Sequence, residues 1–403
     1  THRAYVLAAS CDQPTRILQP LRAHDCDSTL AALSQLGATV QSFDDGVGVS
    51  GPLSLAHATT LDLGNSGTSL RLLLGQASLL KQRVKFTGDT SLQSRPNVEL
   101  LEALSALGAK VEATNGCAPI ELLGPIRGGM VALPSAISSQ FASGLLLGLA
   151  KLNSKSTLVL EAPIHSRPYF EITVDMAREF GCEVDLHSTD VGLTAHIQGG
   201  TLRSPGVYAV EGDWSSAAFL LVAAWARERP IALNGLKANS LQADQRIVGI
   251  LRQLGCSFVW GETDRLHFTP RRQSTIDYVN VRDCPDLFPI LCVLAALLPT
   301  RTTISGAPNL RHKESDRIQL MFDGLQTLGL NCNQLPDGIV IEGGEVKSGR
   351  VETQLDHRIR MSFRVLAAVT NTSIQLDGEG CEKVSYPNFE HDLERLLTGT
   401  QGE

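Results

Sequence analysis

Between two apolar stretches the chain carries Asn309-Leu310-Arg311-His312-Lys313-Glu314-Ser315-Asp316-Arg317, which packs three fixed cations, two carboxylates and an amide into nine residues. Clustered cations suit an anionic ligand, and carboxylates beside them suit proton transfer. A solvated charged loop has the same composition, so this stretch has to be read with its companions. Those companions open a series of apolar segments: Asn65-Ser66-Gly67-Thr68, Ser138-Ser139-Gln140, Asp213-Trp214-Ser215-Ser216, Asp286 and Asp356-His357-Arg358. Small polar residues before an apolar run read as N-caps, and the free N–H groups at a helix start attract anions. Any one of them could be a cap and nothing more. Asp213 with Ser215 and Ser216 is read that way.

The elements that would position these residues repeat. Amphipathic segments end at Gly37, Gly108, Gly181, Gly255 and Gly329, spaced by 71, 73, 74 and 74 residues, with a possible sixth ending at Gly399. Apolar residues three or four apart followed by glycine describe a surface helix closed by a left-handed cap. The polar starts, counted from Thr1-His2-Arg3, differ by 64, 73, 75, 73 and 70. Each leads into a segment apolar on nearly all sides, as a buried helix must be. The rhythm predicts six units of about seventy residues, three in each of two domains, spanning 1–209 and 210–403. If the buried helices of a domain start on one face, their dipoles make an anion site without a positively charged protein.

Composition narrows the function. The 403 residues carry a net charge of −7, so a general affinity for nucleic acid is not expected. No apolar run is long enough to span a bilayer, so no membrane association is expected. Nine scattered cysteines without a CxxC pair read as reduced thiols in a cytoplasmic protein rather than as metal ligands.

The sequence resembles the enolpyruvyl transferases, and within them the 5-enolpyruvylshikimate-3-phosphate synthase family. The resemblance rests on GNSGTSLR (64–71), GDTSLQSRP (88–96), SSQF (138–141), SRPYFEIT (166–173), VEGDWSSAAF (210–219), DCPDLFP (283–289), NLRHKESDR (309–317), DHRIRMSF (356–363) and YPNF (386–389). It implies an α/β fold of two inverse, barrel-like domains, each of three βαβαββ units, with the active site in the interdomain cleft. The implied reaction is transfer of the enolpyruvyl group of phosphoenolpyruvate to the 5-hydroxyl of shikimate 3-phosphate with loss of phosphate. It needs no metal or organic cofactor, and the family implies a monomer. Position by position, Ser138, Ser139 and Ser166, with Arg167 beside them, would hold the shikimate phosphate. Gln140 and Tyr169 would border that substrate, Arg3 would reach its phosphate or ring, and Asn309 and Lys313 would complete its site. Arg95, Arg317 and Arg358 would grip phosphoenolpyruvate, with Gln140 at its edge and Gly67 admitting it closely. Asp286 would bind the ring hydroxyls and accept the 5-hydroxyl proton. Glu314 would protonate the methylene carbon, with Lys313 tuning that step. In this family a glycine at the position of Gly67 goes with glyphosate sensitivity.

Several positions depart from the pattern. The family's Ser-Lys-Ser element falls just before Thr1, so an upstream segment bearing that lysine is expected. Aligning on Tyr386-Pro387 puts Val384 where the family has a lysine, with Lys383 one step earlier as its candidate replacement. Arg360 stands where the family has a small residue, and Ala243 where it has glycine. Two other readings compete: a degenerate relative that binds anions or serves as a scaffold, and the sister enzyme that transfers enolpyruvate to a UDP-sugar. Against the latter, Asp89-Thr90-Ser91-Leu92 occupies the loop where the sister carries a reactive cysteine.

Overall fold

The computed structural model describes residues 1–134, 138–261 and 264–399, which form two compact units, Thr1–Val210 and Glu211–Glu403. Each has its own apolar core.

The first unit contains helices α1 (His2–Ala9), α2 (His24–Gln35), α3 (Gly67–Ala77), α4 (Thr90–Gln93), α5 (Val98–Ala106), α6 (Ser139–Leu149) and α7 (Arg167–Glu179). Of these, α1, α3 and α6 are buried along almost their whole length, while α2, α5 and α7 bury one face. Three four-stranded sheets surround them. Thr59–Asp62 pairs parallel with Val84–Thr87, and Cys117–Leu123 and Lys110–Thr114 follow antiparallel. The sheet of Met130–Pro134, Ser156–Glu161, Gly192–Ile197 and Val184–Thr189 repeats that order. The first sheet, built on Thr15–Leu18, takes its parallel edge strand from Val207–Ala209, so the end of the unit completes its beginning. A parallel pair requires a crossover, and the buried helices α3 and α6 supply it in the other two sheets.

The second unit contains α8 (Trp214–Ala226), α9 (Arg246–Gln253), α10 (Phe288–Ala296), α11 (Arg317–Thr327), α12 (His357–Thr370) and α13 (Phe389–Thr398). Among the described residues only its middle sheet, of Tyr278–Asn280, Arg301–Ser305, Gly338–Glu342 and Asn331–Leu335, has the full four strands. Among the described residues the fourth repeat lacks the parallel edge strand and the sixth lacks the final hairpin. The helices keep the rhythm even there.

Local chemistry explains the regularity. Gly37, Gly108, Gly181, Gly255, Gly329 and Gly399 all have φ between +81° and +106°, where a Cβ would be strained. At the other ends, Ser66, Ser138, Asp213 and Asp356 accept N–H bonds from the first turns of α3, α6, α8 and α12. Helices α3 and α6 run parallel with their backbones touching: a Cβ on Gly75 would overlap the Gly144 carbonyl, and one on Gly144 would overlap the Arg71 carbonyl. Gly144→Ala should therefore force the helices apart and cost about 3 kcal/mol, the upper end for overpacking, because backbone rather than a flexible side chain must yield. A denaturant melt reads this directly, and a loss within about 0.5 kcal/mol would contradict the close approach.

Candidate active site

In the second unit the starts of α10, α11 and α12 bring five of the expected residues together. Asp286, in the 3-10 turn Pro285–Leu287 before α10, has Arg317 Nη1 at 2.9 Å, Arg358 Nη2 at 3.4 Å and Lys313 Nζ at 3.6 Å. Glu314 joins the cluster through Arg317 Nη2 at 2.7 Å. At its base lies Asp356, fully buried, which accepts from Arg317 Nε at 2.9 Å, Ser315 Oγ at 2.9 Å and the Arg358 backbone N–H at 3.0 Å.

Arg317 is 1% exposed, and its three nitrogens each donate to a carboxylate, of Asp356, Asp286 or Glu314. An anion gripped by it, as the resemblance implies, would share the guanidinium with these carboxylates. As found, it fixes the three acidic groups relative to one another. Arg358 and Lys313 are more accessible and, among the described residues, hold only Asp286 by ion pairing. Burial opposes ionisation of Asp286, but Arg358, Lys313 and Arg317 outweigh it and hold the carboxyl well below its usual range. Burial likewise opposes ionisation of Asp356, and Arg317 outweighs it. The buried His357 beside them is pushed down to about 4, first by burial and then by Arg358, so it is neutral at pH 7.

Asn309 sits in the 3-10 turn Pro308–His312 that leads into Lys313; it is buried, and its Oδ1 accepts no hydrogen bond among the described residues. Lys383 lies apart, exposed on the 3-10 turn Cys381–Val384, with no side-chain ion pair or hydrogen bond among the described residues. Two members of this region escaped sequence reading. Asp356 was read as a cap and also carries Arg317. Asp244, buried and bonded by the Ser215 hydroxyl, is pushed up to about 7 by burial and then by the charge of Asp286. Asp244 closes the stretch Ser240-Leu241-Gln242-Ala243-Asp244, of which Ala243 alone was noted from the sequence, as a departure from the family's glycine.

The first unit assembles its residues at the starts of α1, α3, α6 and α7. Gln140 Oε1 accepts from Arg71 Nη1 at 2.6 Å and Gln140 Nε2 donates to Thr68 Oγ1 at 3.0 Å, joining α6 to α3. Arg71 also donates to Asn97 Oδ1 at 3.1 Å and lies over the Phe141 ring. Arg95 is buried and donates to Asn65 Oδ1 at 2.6 Å and Ser91 Oγ at 2.9 Å. Arg3, from α1, donates to Thr173 Oγ1 at 2.7 Å and to the Tyr169 carbonyl at 3.1 Å on α7, and burial lowers its pKa to about 10. Ser138, Ser139 and Arg167 line one small cavity with His165 and Phe170. Ser166 starts α7 with φ +57°, an uncommon conformation for a residue with a Cβ. Arg167 pairs with Glu171 on its own helix at 2.7 Å. Arg71 and Asn97 were given no role from the sequence, and Asn65 and Thr68 were read there as part of a helix start alone.

Gly67 opens α3 between two guanidinium groups. A Cβ there would stand 3.0 Å from Arg95 Nη1 and 3.2 Å from Arg71 Nη1. Gly67→Ala should thus displace both by a few tenths of an ångström. A structure of that variant in which neither guanidinium group has moved would contradict the close contact.

Three buried helices in each unit, four of the six starting at a side-chain cap, define the chain as an enolpyruvyl-transferase fold. The solved EPSP synthase from Acinetobacter baumannii superposes with a TM-score of 0.78 at 30% identity, covering 98% of this chain and 92% of that one. The enolpyruvyl transferase NikO from Streptomyces tendae, at 16% identity, shares the fold with a TM-score of 0.74, covering 98% of this chain and 92% of its own. The family model for EPSP synthase (3-phosphoshikimate 1-carboxyvinyltransferase) matches residues 1–393, and the chain belongs to that family. Among its relatives, the 3-phosphoshikimate 1-carboxyvinyltransferase of Methanocorpusculum labreanum is 38% identical over 401 residues, covering 98% of this chain and 93% of the relative. That of Methanothrix thermoacetophila is 37% identical over 405 residues, covering 98% and 93%. Among the described residues no helix is long and apolar enough to cross a membrane, and no group of three His, Cys, Asp or Glu could hold a metal ion.

Proposed function

We propose that this chain transfers the enolpyruvyl group of phosphoenolpyruvate to the 5-hydroxyl of shikimate 3-phosphate, releasing phosphate. The observation that carries the reading is the single carboxylate Asp286 held by Lys313, Arg317 and Arg358, with the acid Glu314 in the same cluster. In this reaction the 5-hydroxyl oxygen bonds to C2 while C3 gains a proton. The tetrahedral intermediate then loses phosphate and a C3 proton to restore the double bond.

Pinned by three cations, Asp286 is a weak base. An arriving anion competes for Arg358 and Lys313, and each cation it draws off makes Asp286 more basic. Substrate binding thereby prepares the group that accepts the 5-hydroxyl proton, and Glu314 supplies the proton to C3. Asn309, whose Oδ1 is open to a donor, binds a ring hydroxyl. In the first unit, Ser138, Ser139, Ser166 and Arg167 take the shikimate phosphate beside Arg3 and Tyr169. Gly67, Arg95 and Gln140 take phosphoenolpyruvate, with Arg71 holding Gln140 in place.

The test is phosphate release from phosphoenolpyruvate in the presence of shikimate 3-phosphate. Turnover that needs both substrates and yields the enolpyruvyl ether supports the assignment. Turnover with a UDP-sugar instead, or binding of both anions with no turnover, would overturn it.

A further inference from the structure

Three arginines of α12 divide their work between two sides of the helix. Arg358 faces Asp286, whereas Arg360, two residues on, faces the other way. Arg360 is 7% exposed, an unusual burial for a cation, and it is paired. Its Nε donates to the Gly378 carbonyl at 3.0 Å and lies 3.7 Å from Glu382 Oε2, and its Nη1 lies 3.6 Å from Glu390 Oε1 on α13. Arg364, one helical turn along, grips Glu390 from the same side at 2.8 Å. Arg360 thus ties three pieces of chain together: its own helix, α13 and the segment 378–384.

That segment carries Lys383. Gly378 and Gly380, with φ +70° and +88°, flank the start of the turn Cys381–Val384, and the backbone bonds within it are local. Its side-chain ion pair to the body of the unit runs through Arg360, beside the bond from the Thr353 N–H to Asp377 that holds the preceding residue. Glu382 is buried and Lys383 exposed. Successive residues on a 3-10 turn are about 120° apart, so fixing Glu382 inward sets the direction of Lys383. The turn also runs beside the helix starts that carry the site: a Cβ on Gly378 would stand 3.3 Å from Thr353 Oγ1, and the charges of Asp356 and Asp213 act on Cys381 and Tyr386.

We infer that Arg360 is a positioning residue that holds the Cys381–Val384 turn so that Lys383 meets the phosphoenolpyruvate anion in place of a cation at position 384. The inference rests on the reaction proposed above and adds to it how this chain compensates for Val384. The buried Arg360 and the displaced lysine form one device: the arginine pins the turn and the lysine binds.

Two measurements test it. In the first, amide hydrogen exchange over residues 378–386 is compared between the unaltered chain and Arg360→Ala. Exchange there should be about tenfold or more faster, with α10 and α11 unchanged. Glu382→Gln, which removes the ion pair but keeps the volume, should give a smaller change in the same segment. In the second, phosphate-release kinetics are measured for Arg360→Ala, Arg360→Lys, Lys383→Met and the double variant Arg360→Ala/Lys383→Met. Losing a charged hydrogen bond to the ligand should raise the KM for phosphoenolpyruvate about tenfold or more in Lys383→Met. Arg360→Ala should reproduce that rise with the KM for shikimate 3-phosphate unchanged, Arg360→Lys should recover part of it, and the double variant should be no worse than Lys383→Met.

Additive effects in the double variant, or equal damage to both KM values, would reduce Arg360 to a structural residue and overturn the inference. So would unchanged exchange over 378–386, whether or not the chain turns over. Absence of phosphate release from the unaltered chain would instead sink the reaction, and the exchange result would still decide the role of Arg360.

Discussion

Arg317→Met is expected to destabilise the second unit by about 3–5 kcal/mol at pH 7, the range for leaving a buried charge without its partner. Asp356 is fully buried and would lose the cation 2.9 Å away, while Asp286 and Glu314 would each lose a partner at 2.9 Å or less. The pH dependence gives the claim its edge. In the native chain Asp356 has a depressed pKa, so its contribution is fully present above the unfolded value, about 3.9, and is lost as pH falls below it. In Arg317→Met the buried carboxyl has no cation and its pKa moves up. The penalty is then absent below the unfolded value and grows as pH rises. Both signs narrow the gap between native chain and variant on acidification. Denaturant midpoints at pH 7 and pH 4.5 measure it, and a gap that stays constant would show that the charges are not the cause. Adding Asp356→Asn should recover a good part of the loss, since asparagine still caps α12.

The balance between local and distant interactions explains what the sequence could reveal. Glycine after a surface helix and a polar cap before a buried one act within a single helical turn, so Gly37 through Gly399 and Ser66 through Asp356 were readable one segment at a time. Their spacing then exposed the repeat. The strands were quieter: three to seven residues leave little periodicity, and the fourth and sixth repeats could lose strands while their helices kept time. The site divides in the same way. Asp286, Lys313, Glu314 and Arg358 could be named from motifs, and the structure brings them within one cluster. That Arg317 is consumed by Asp356 could not be read, because the partners lie 39 residues apart and meet only through the packing of α11 on α12. Arg71 is a similar case. It ends a motif that had been read for its glycine, and its role appears only when Gln140, 69 residues on, is seen to accept from it. Arg360 was visible as a departure from the small residue of the family it resembles, and its partners at Gly378, Glu382 and Glu390 supply the reason.

Asp286→Asn is expected to lower kcat by about 10²–10⁴, the usual worth of a positioned general base, without raising the KM for phosphoenolpyruvate. The direction of the binding change distinguishes this from a simple loss of the site. Asp286 competes with the substrate anion for Arg358 and Lys313 at 3.4 and 3.6 Å, so a neutral amide should leave both cations freer and bind phosphoenolpyruvate as tightly or more so. The pH profiles of the unaltered chain should show the same competition. In the free protein the carboxyl is held below its usual range against the pull of burial, so the acid limb of kcat/KM that belongs to it falls below that range. Once substrate has drawn Arg358 and Lys313 toward itself, the carboxyl regains basicity, and the acid limb of kcat should lie at higher pH than that of kcat/KM. Coincident limbs would mean that the cations stay on Asp286 throughout turnover. It could then not be the base, and Glu314 would have to serve both proton transfers.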